Sequence, residues 1–323
     1  MGETGPHVGL VLGAGGVAGG AFHAGVLAAL EEVTGWDPRL ATVIVGTSAG
    51  SITGTSLRAG LSATDLLARA ENRPLSPSGA RILARLGPPA GPPLLRGPGR
   101  ARPPAEVAAR LARAAVRPLS ARPLAVLAGL MPEGTAGTDL IAAGISALAL
   151  PSWPTEPLWV CAVRERDGRL IVFGRDSRPR LADAVAASCA IPGFFRPVNI
   201  DGETYIDGGV HSPTNADLLA DLGLDLVVVS SPMSLAGSGL RIRLDQPARR
   251  WSRLLLDGEA RRLRRQGVEV VAFQPTAEDI TIIGPNPMDA GRRDTVARQT
   301  KESTLRRLVR ADTRSRLAPI SAR

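Results

Sequence analysis

The apolar and polar positions of the chain first fall into short runs that stop at glycine. Val8–Leu12 (VGLVL) is a continuous apolar stretch ending at Gly13-Ala14-Gly15-Gly16-Val17-Ala18-Gly19-Gly20. A run of this length without polar alternation predicts a strand buried on both faces. The glycine cluster predicts a loop, because glycine costs about 1 kcal/mol in a helix interior. Ala21–Glu32 has helical spacing. Ala41–Val45 (ATVIV) predicts a second strand, Gly46–Gly50 a second turn, and the following residues a helix to about Arg58. Strand, turn and helix repeated at this spacing predict parallel strands with helical crossovers.

The pattern then breaks. Residues 73–104 hold nine prolines and five glycines, which predicts no regular element there. Helical pieces are expected near Pro104–Val116, Ser120–Leu130 and Thr138–Leu148. Residues 61–150 therefore read as a mostly helical insertion and a candidate lid. Downstream, two pairs of apolar runs are joined by Asp-Gly, a strong hairpin signal. The first is Leu158–Val163 with Arg169–Phe173; the second is Pro197–Ile200 with Glu203–Ile206. Leu181–Cys189 reads as a helix between them. Asp225–Val229 and Val268–Phe273 read as buried strands, Trp251–Arg265 as a basic helix and Met288–Arg310 as a closing helix. The fold class expected from this pattern is α/β with parallel strands, and the length suits one large domain or two smaller ones.

Composition narrows the class. The chain has 323 residues and a formal net charge of +9. All but one of its 39 basic residues are arginine, Lys301 being the exception. The charge is uneven. Residues 73–104 hold six bases and no acids, 241–265 nine bases and three acids, and 292–323 ten bases and three acids. The basic C-terminal portion, 241–323, contains two of these segments. Such patches suit anionic membrane or acidic partners. One Tyr, five Phe and four Trp leave few side chains to stack on bases, so no nucleic acid is expected. No apolar run is long enough to span a membrane, and Met1–His7 lacks a basic region followed by an apolar core, so no secretory signal is expected. Two cysteines and three histidines predict neither a disulfide framework nor a metal site. The expectation is a cytoplasmic protein, peripheral to the membrane at most, with no metal and no cofactor.

Three motifs carry chemistry. Gly46-Thr47-Ser48-Ala49-Gly50 is G-x-S-x-G at a strand-to-helix turn. That context holds a serine clear of the sheet with helix N–H groups beside it. Ser48 is the candidate nucleophile; the bland alternative is a helix cap. The loop Gly13–Gly19 offers exposed backbone N–H groups, a candidate oxyanion hole; the bland alternative is a structural turn with no ligand. It also fits a dinucleotide turn, but that reading needs an acid at the end of the second strand, where Val45 and Gly46 stand. Asp207-Gly208-Gly209 ends a hairpin strand and delivers a carboxylate to a sheet end. Asp207 is the candidate base; the bland alternative is an ordinary Asp-Gly turn.

In that order, LVLGAGGVAGGAFHAGVL, GTSAGS and DGG resemble the patatin-like phospholipases, a family of serine lipid acyl hydrolases. Ala187–Val198 (ASCAIPGFFRPV) is similar to that family's block upstream of its aspartate. The resemblance implies a three-layer α/β/α sandwich with a mostly parallel central sheet, one domain over residues 1–323, and a Ser48–Asp207 dyad in place of a Ser-His-Asp triad. It implies an oxyanion hole at Gly15, Gly16 and Val17, and a lipid or ester substrate. Two positions depart from the family: Ala18 stands where a basic residue is usual, and Ala14 where a glycine is usual. A catalytically weak lipid-binding module is the alternative. His211, four residues after Asp207, is a second candidate base or a site-lining residue. His23 reads as a packing residue and Cys161 and Cys189 as small buried hydrophobes. Trp251, Leu254 and Leu255 on Arg249–Arg265 are candidate membrane anchors; the bland alternative is a solvated, arginine-rich helix face.

Overall fold

The computed structural model describes residues 5–84, 134–148, 150, 152–236 and 246–321. Elements are labelled below in chain order among these residues. The sheet contains β1 (Val8–Leu12), β2 (Val43–Thr47), β3 (Leu158–Arg164), β4 (Leu170–Phe173), β5 (Val198–Ile200), β6 (Glu203–Asp207), β7 (Leu226–Ser230) and β8 (Glu269–Phe273). Its order is β5-β6-β3-β2-β1-β7-β8, with β4 also paired to β3. The neighbours β3-β2-β1-β7-β8 run parallel, whereas β4, β6 and β5 pair antiparallel.

Alternation along the strands gives the sheet two buried faces. Leu10, Leu12, Ile44, Val160, Leu226 and Val228 face one core, packed with residues of α1 (Gly16–Thr34), α3 (Ala63–Ala70) and α9 (Arg293–Leu308). Val11, Val45, Cys161, Val227 and Val270 face the other. That second layer is completed by Leu256, Ala260 and Leu263 of α7 (Gln246–Arg265) and by Leu219 of a short 3-10 turn, Ala216–Leu219. The result is a three-layer α/β/α sandwich, as the resemblance implies, with the parallel strands that the crossover spacing predicts. α2 (Ala49–Arg58), α5 (Asp139–Ala147) and α6 (Leu181–Ser188) complete the elements near the site.

Several local expectations are corrected. The glycine cluster is not all loop: α1 begins at Gly16, so Gly16, Gly19 and Gly20 are helical. Burial of α1 between the sheet and α9 overrides the glycine penalty. The second strand is shifted, Val43–Thr47 in place of Ala41–Val45. Within 73–104, Pro77–Leu83 forms helix α4, with Pro77 in its first turn and the Ser76 side chain accepting the Gly79 amide; this is the one helix position where proline is favoured. The closing helix is broken. Arg293–Leu308 is followed by α10 (Ala311–Arg316), and a separate helix α8 (Ala277–Ile283), capped by Thr276, precedes it. The helix expected at Thr138–Leu148 is α5, packed on α6. The pieces expected at Pro104–Val116 and Ser120–Leu130, and most of the candidate lid, lie outside the described residues. No helix among the described residues is long and apolar enough to cross a membrane.

Candidate active site

Strand register explains why two residues 159 positions apart in sequence meet. β2 lies along β3 from Leu158 to Cys161, with Thr47 opposite Cys161. β6 lies along β3 from Ala162 to Arg164, with Asp207 opposite Ala162. β4 occupies the other edge of β3, opposite Val160–Val163. β2 and β6 therefore share one edge of β3 and meet end to end. The residue after Thr47 is Ser48, and it arrives beside Asp207.

Ser48 sits on the turn from β2 to α2 with φ 53° and ψ −120°. A non-glycine residue held at positive φ costs of order 1–3 kcal/mol and persists only where its surroundings fix it. Here they do. The Ser48 amide donates to Ser188 Oγ at 2.9 Å, and Ser188 Oγ donates to the Cys161 carbonyl at 2.7 Å. The Ser48 carbonyl accepts from the Ser51 amide at 2.8 Å and the Ser51 hydroxyl at 2.7 Å. Gly46 and Gly50 allow the tight turn, and Gly50 lies directly against the Leu12 carbonyl of β1.

Asp207 ends β6 and begins a 3-10 turn, its Oδ1 accepting the Gly209 amide at 2.7 Å. The Ser48 side chain lies beside this carboxylate and favours its charged form. Ser48 and Asp207 are 3% and 5% exposed. Burial pushes the Asp207 carboxyl up to about 6, against the opposing influence of the nearby Ser48 side chain and the Gly209 amide. Gly208 is required where it stands, because a Cβ there would lie on the Cys161 carbonyl.

The glycine loop lies opposite. Its flanking amides are committed: Gly13 to Ser230 O, Ala14 to Pro213 O, Ala18 to Pro287 O and Gly19 to Gly15 O, at 2.8–2.9 Å. Gly15, Gly16 and Val17 form the entry to the first turn of α1, where no preceding helical carbonyl is available to an N–H group. Gly209 and Ala14 are neighbours, an ideal Cβ on Gly209 lying 3.3 Å from the Ala14 Cβ. Of the two departures from the family pattern, Ala18 is buried, and Ala14 uses its amide to hold the loop to Pro213.

His23 is more than a packing residue. It is fully buried, with Nε2 2.8 Å from the Gly13 carbonyl and Nδ1 2.8 Å from Ser230 Oγ. Since a carbonyl only accepts, Nε2 carries the proton and Nδ1 accepts from Ser230. Burial lowers its pKa to about 4, so the ring is neutral and fastens the glycine loop to β7. His211 follows the Asp207 turn, its amide donating to Gly208 O at 3.0 Å. Cys161 and Cys189 are buried as expected; burial pushes Cys161 up to about 12, and burial with the nearby Asp207 charge pushes Cys189 up. Both remain thiols. Beside Asp207, whose amide donates to Ala190 O at 3.0 Å, lies an apolar cluster of Ala136, Ala190 and Phe195, joined by Ile191, Phe194 and Met288.

Sequence reasoning missed Ser188, Asn215 and Glu259. Ser188 lies inside the ASCAIPGFFRPV block but reads there as one helical residue among small neighbours. Asn215 has no pattern signal. Glu259 reads as one charge on an arginine-rich helix, and only the structure shows it turned inward.

Among solved structures, the chain is similar to VipD from Legionella pneumophila, at 16% identity and a TM-score of 0.39, over 94% of this chain and 67% of that one. It is similar to the ExoU–SpcU complex from the type III secretion system of Pseudomonas aeruginosa, at 20% identity and 0.31, over 94% and 52%. It is also similar to human GIVD cytosolic phospholipase A2 in complex with methyl gamma-linolenyl fluorophosphonate, at 13% and 0.32, over 98% and 60%. The chain thus spans between about half and two thirds of the length of these proteins, and at such TM-scores the likenesses carry no argument. The family model for patatin-like phospholipases matches residues 10–220, a span holding the glycine loop, the Ser48 elbow and the Asp207 turn, and the chain belongs to the patatin-like phospholipase family, a family of lipid acyl hydrolases.

Proposed function

We propose that the protein is a serine lipid acyl hydrolase working through a Ser48–Asp207 dyad. The observation that carries this reading is the juxtaposition of Ser48, on a strained strand-to-helix turn, with the buried Asp207 carboxylate of raised pKa. Ser48 Oγ attacks the ester carbonyl carbon as Asp207 takes its proton. The carbonyl oxygen becomes an oxyanion facing the Gly15, Gly16 and Val17 N–H groups. Collapse breaks the ester C–O bond, and Asp207 returns its proton to the departing alcohol. Water then attacks the acyl-Ser48 ester, again giving its proton to Asp207, and the fatty acid leaves as Ser48 recovers its hydrogen. The apolar cluster at Ala190, Ile191, Phe194 and Met288 is the wall for the acyl chain.

The test is the pH dependence of kcat/KM on a soluble ester such as p-nitrophenyl butyrate. Asp207 is a base only when ionised, so the rate climbs with pH through about 6 and levels above it. Below that value it falls about tenfold per pH unit. A flat profile between pH 5 and 8 contradicts Asp207 as the base.

The outer side of α7 fits an anionic lipid surface. Trp251 is 38% and Leu254 62% exposed, with Arg250, Arg261 and Arg265 also exposed on the same helix. Leu255, expected as a third anchor, is instead half-buried. Binding to phosphatidylglycerol vesicles is expected to weaken steeply between 50 and about 500 mM salt as charges are screened. Binding indifferent to salt removes this surface from the account.

A further inference from the structure

The segment 212–216, just beyond the Asp207 turn, touches all three limbs of the site. Asn215 Nδ2 donates to Thr47 Oγ1 at 3.0 Å, one residue before Ser48. The Ser212 amide donates to Gly208 O at 3.3 Å, one residue after Asp207. Pro213 O accepts the Ala14 amide at 2.8 Å, one residue before Gly15. Asn215 holds a left-handed backbone, φ 55°, which asparagine tolerates better than most residues. Its Nδ2 also donates to Ser212 O at 2.7 Å.

This segment is itself held by Glu259 of α7. Ser212 Oγ donates to Glu259 Oε1 at 2.5 Å, Thr214 Oγ1 to Oε2 at 2.6 Å, and the Ala216 amide to Oε2 at 2.9 Å. The Ser212 hydroxyl in turn accepts the amides of Thr214 and Asn215 at 3.3 Å each. Glu259 is 8% exposed, on the inward side of a helix whose other buried positions include Leu256, Ala260 and Leu263. A buried carboxylate is costly there unless its oxygens are used, and these supply three directed acceptors to one short segment. Arg249, on the same helix, adds a second tie: its Nη1 donates to Pro232 O at 2.9 Å, and Pro232 packs on Gly15.

We propose that Glu259 is the positioning residue of this site. Through residues 212–216 it sets the placement of Ser48, Asp207 and the oxyanion N–H groups relative to one another. It touches no reacting atom. The proposal rests on the acyl hydrolase reading for its kinetic consequence but not for its structural one. A misplacement of about 1 Å at a reacting centre costs up to about a hundredfold in rate.

The experiment compares wild type with Glu259→Gln, Glu259→Asp and Asn215→Gly; glycine keeps the left-handed backbone and deletes the side chain that carries the amide. On p-nitrophenyl butyrate, Glu259→Gln is expected to lower kcat by about 10- to 100-fold with KM within about twofold, and Glu259→Asp to recover part of the loss. The Glu259→Gln/Asn215→Gly double variant is expected to be no slower than the slower single, because both cut one chain of contacts. Amide hydrogen exchange should rise at residues 13–17, 47–49 and 208–212 while β7 and β8 stay protected. A Glu259→Gln enzyme within twofold of wild-type kcat overturns the proposal, as does exchange that rises evenly through β7 and β8. If wild type shows no turnover, the hydrolase reading fails, and the exchange comparison alone decides the role of Glu259.

Discussion

Ser48→Ala and Asp207→Asn are each expected to reduce ester hydrolysis about a thousandfold or more, while His211→Ala keeps most of it. The first removes the attacking oxygen and the second leaves its proton without an acceptor. The two losses should not multiply, because the residues act as one unit. Thermal denaturation separates this loss from misfolding. The Asp207 carboxyl titrates at about 6 in the folded chain against about 3.9 when unfolded. The protonated carboxyl therefore favours the fold at low pH, and that contribution is lost as pH rises through the window from about 4 to 6. Above pH 6 the enzyme carries a buried charge that asparagine lacks. Asp207→Asn should then be inactive and more stable, by up to about 3 kcal/mol at pH 8. An inactive variant that is also less stable at pH 8 would contradict the placement of a raised, ionised Asp207 in the site. Activity lost in His211→Ala and kept in Asp207→Asn would sink the dyad.

Among the described glycines, Gly50→Ala is expected to bring the closest clash of any added methyl and a large loss of stability. An ideal Cβ on Gly50 falls on the Leu12 carbonyl of β1. The obstacle is the backbone of a central strand, paired on both sides by β2 and β7, so no flexible side chain can yield. Overpacking of cores usually costs 1–3 kcal/mol; with rigid backbone on both sides, about 3 kcal/mol or more is expected. Differential scanning calorimetry should show a Tm lower by roughly 6 °C or more, with loss of turnover as α2 is pushed off β1. Gly20→Ala is the control, since a Cβ there meets nothing within 4 Å. Equal Tm values for Gly50→Ala and wild type would show that α2 does not pack on β1 this closely.

The sheet was legible where a run was both apolar and bounded. Val8–Leu12 ends at glycine and was placed to the residue, and both Asp-Gly hairpins form at their expected turns. Boundaries failed where tertiary packing outweighs local propensity, as in the glycine-rich start of α1, or where a cap turns a proline from breaker to first residue, as at Pro77. The Ser48 elbow and the Asp207 turn were legible because each needs glycine beside a chemically specific residue. The edge of β3 that brings them together was not, since it depends on the register of three strands. Glu259 was hidden for a different reason. Its helix carries arginines on most of its outer positions, and nothing in the sequence says which charge faces in.

The most direct test of the dyad is covalent labelling of folded wild type with an alkyl fluorophosphonate at pH 8, followed by peptide mass spectrometry. The account predicts one phosphonyl adduct, on Ser48, and labelling slowed at least about a hundredfold in Asp207→Asn. An adduct on another residue, or folded protein that hydrolyses ester without modification of Ser48, would contradict it.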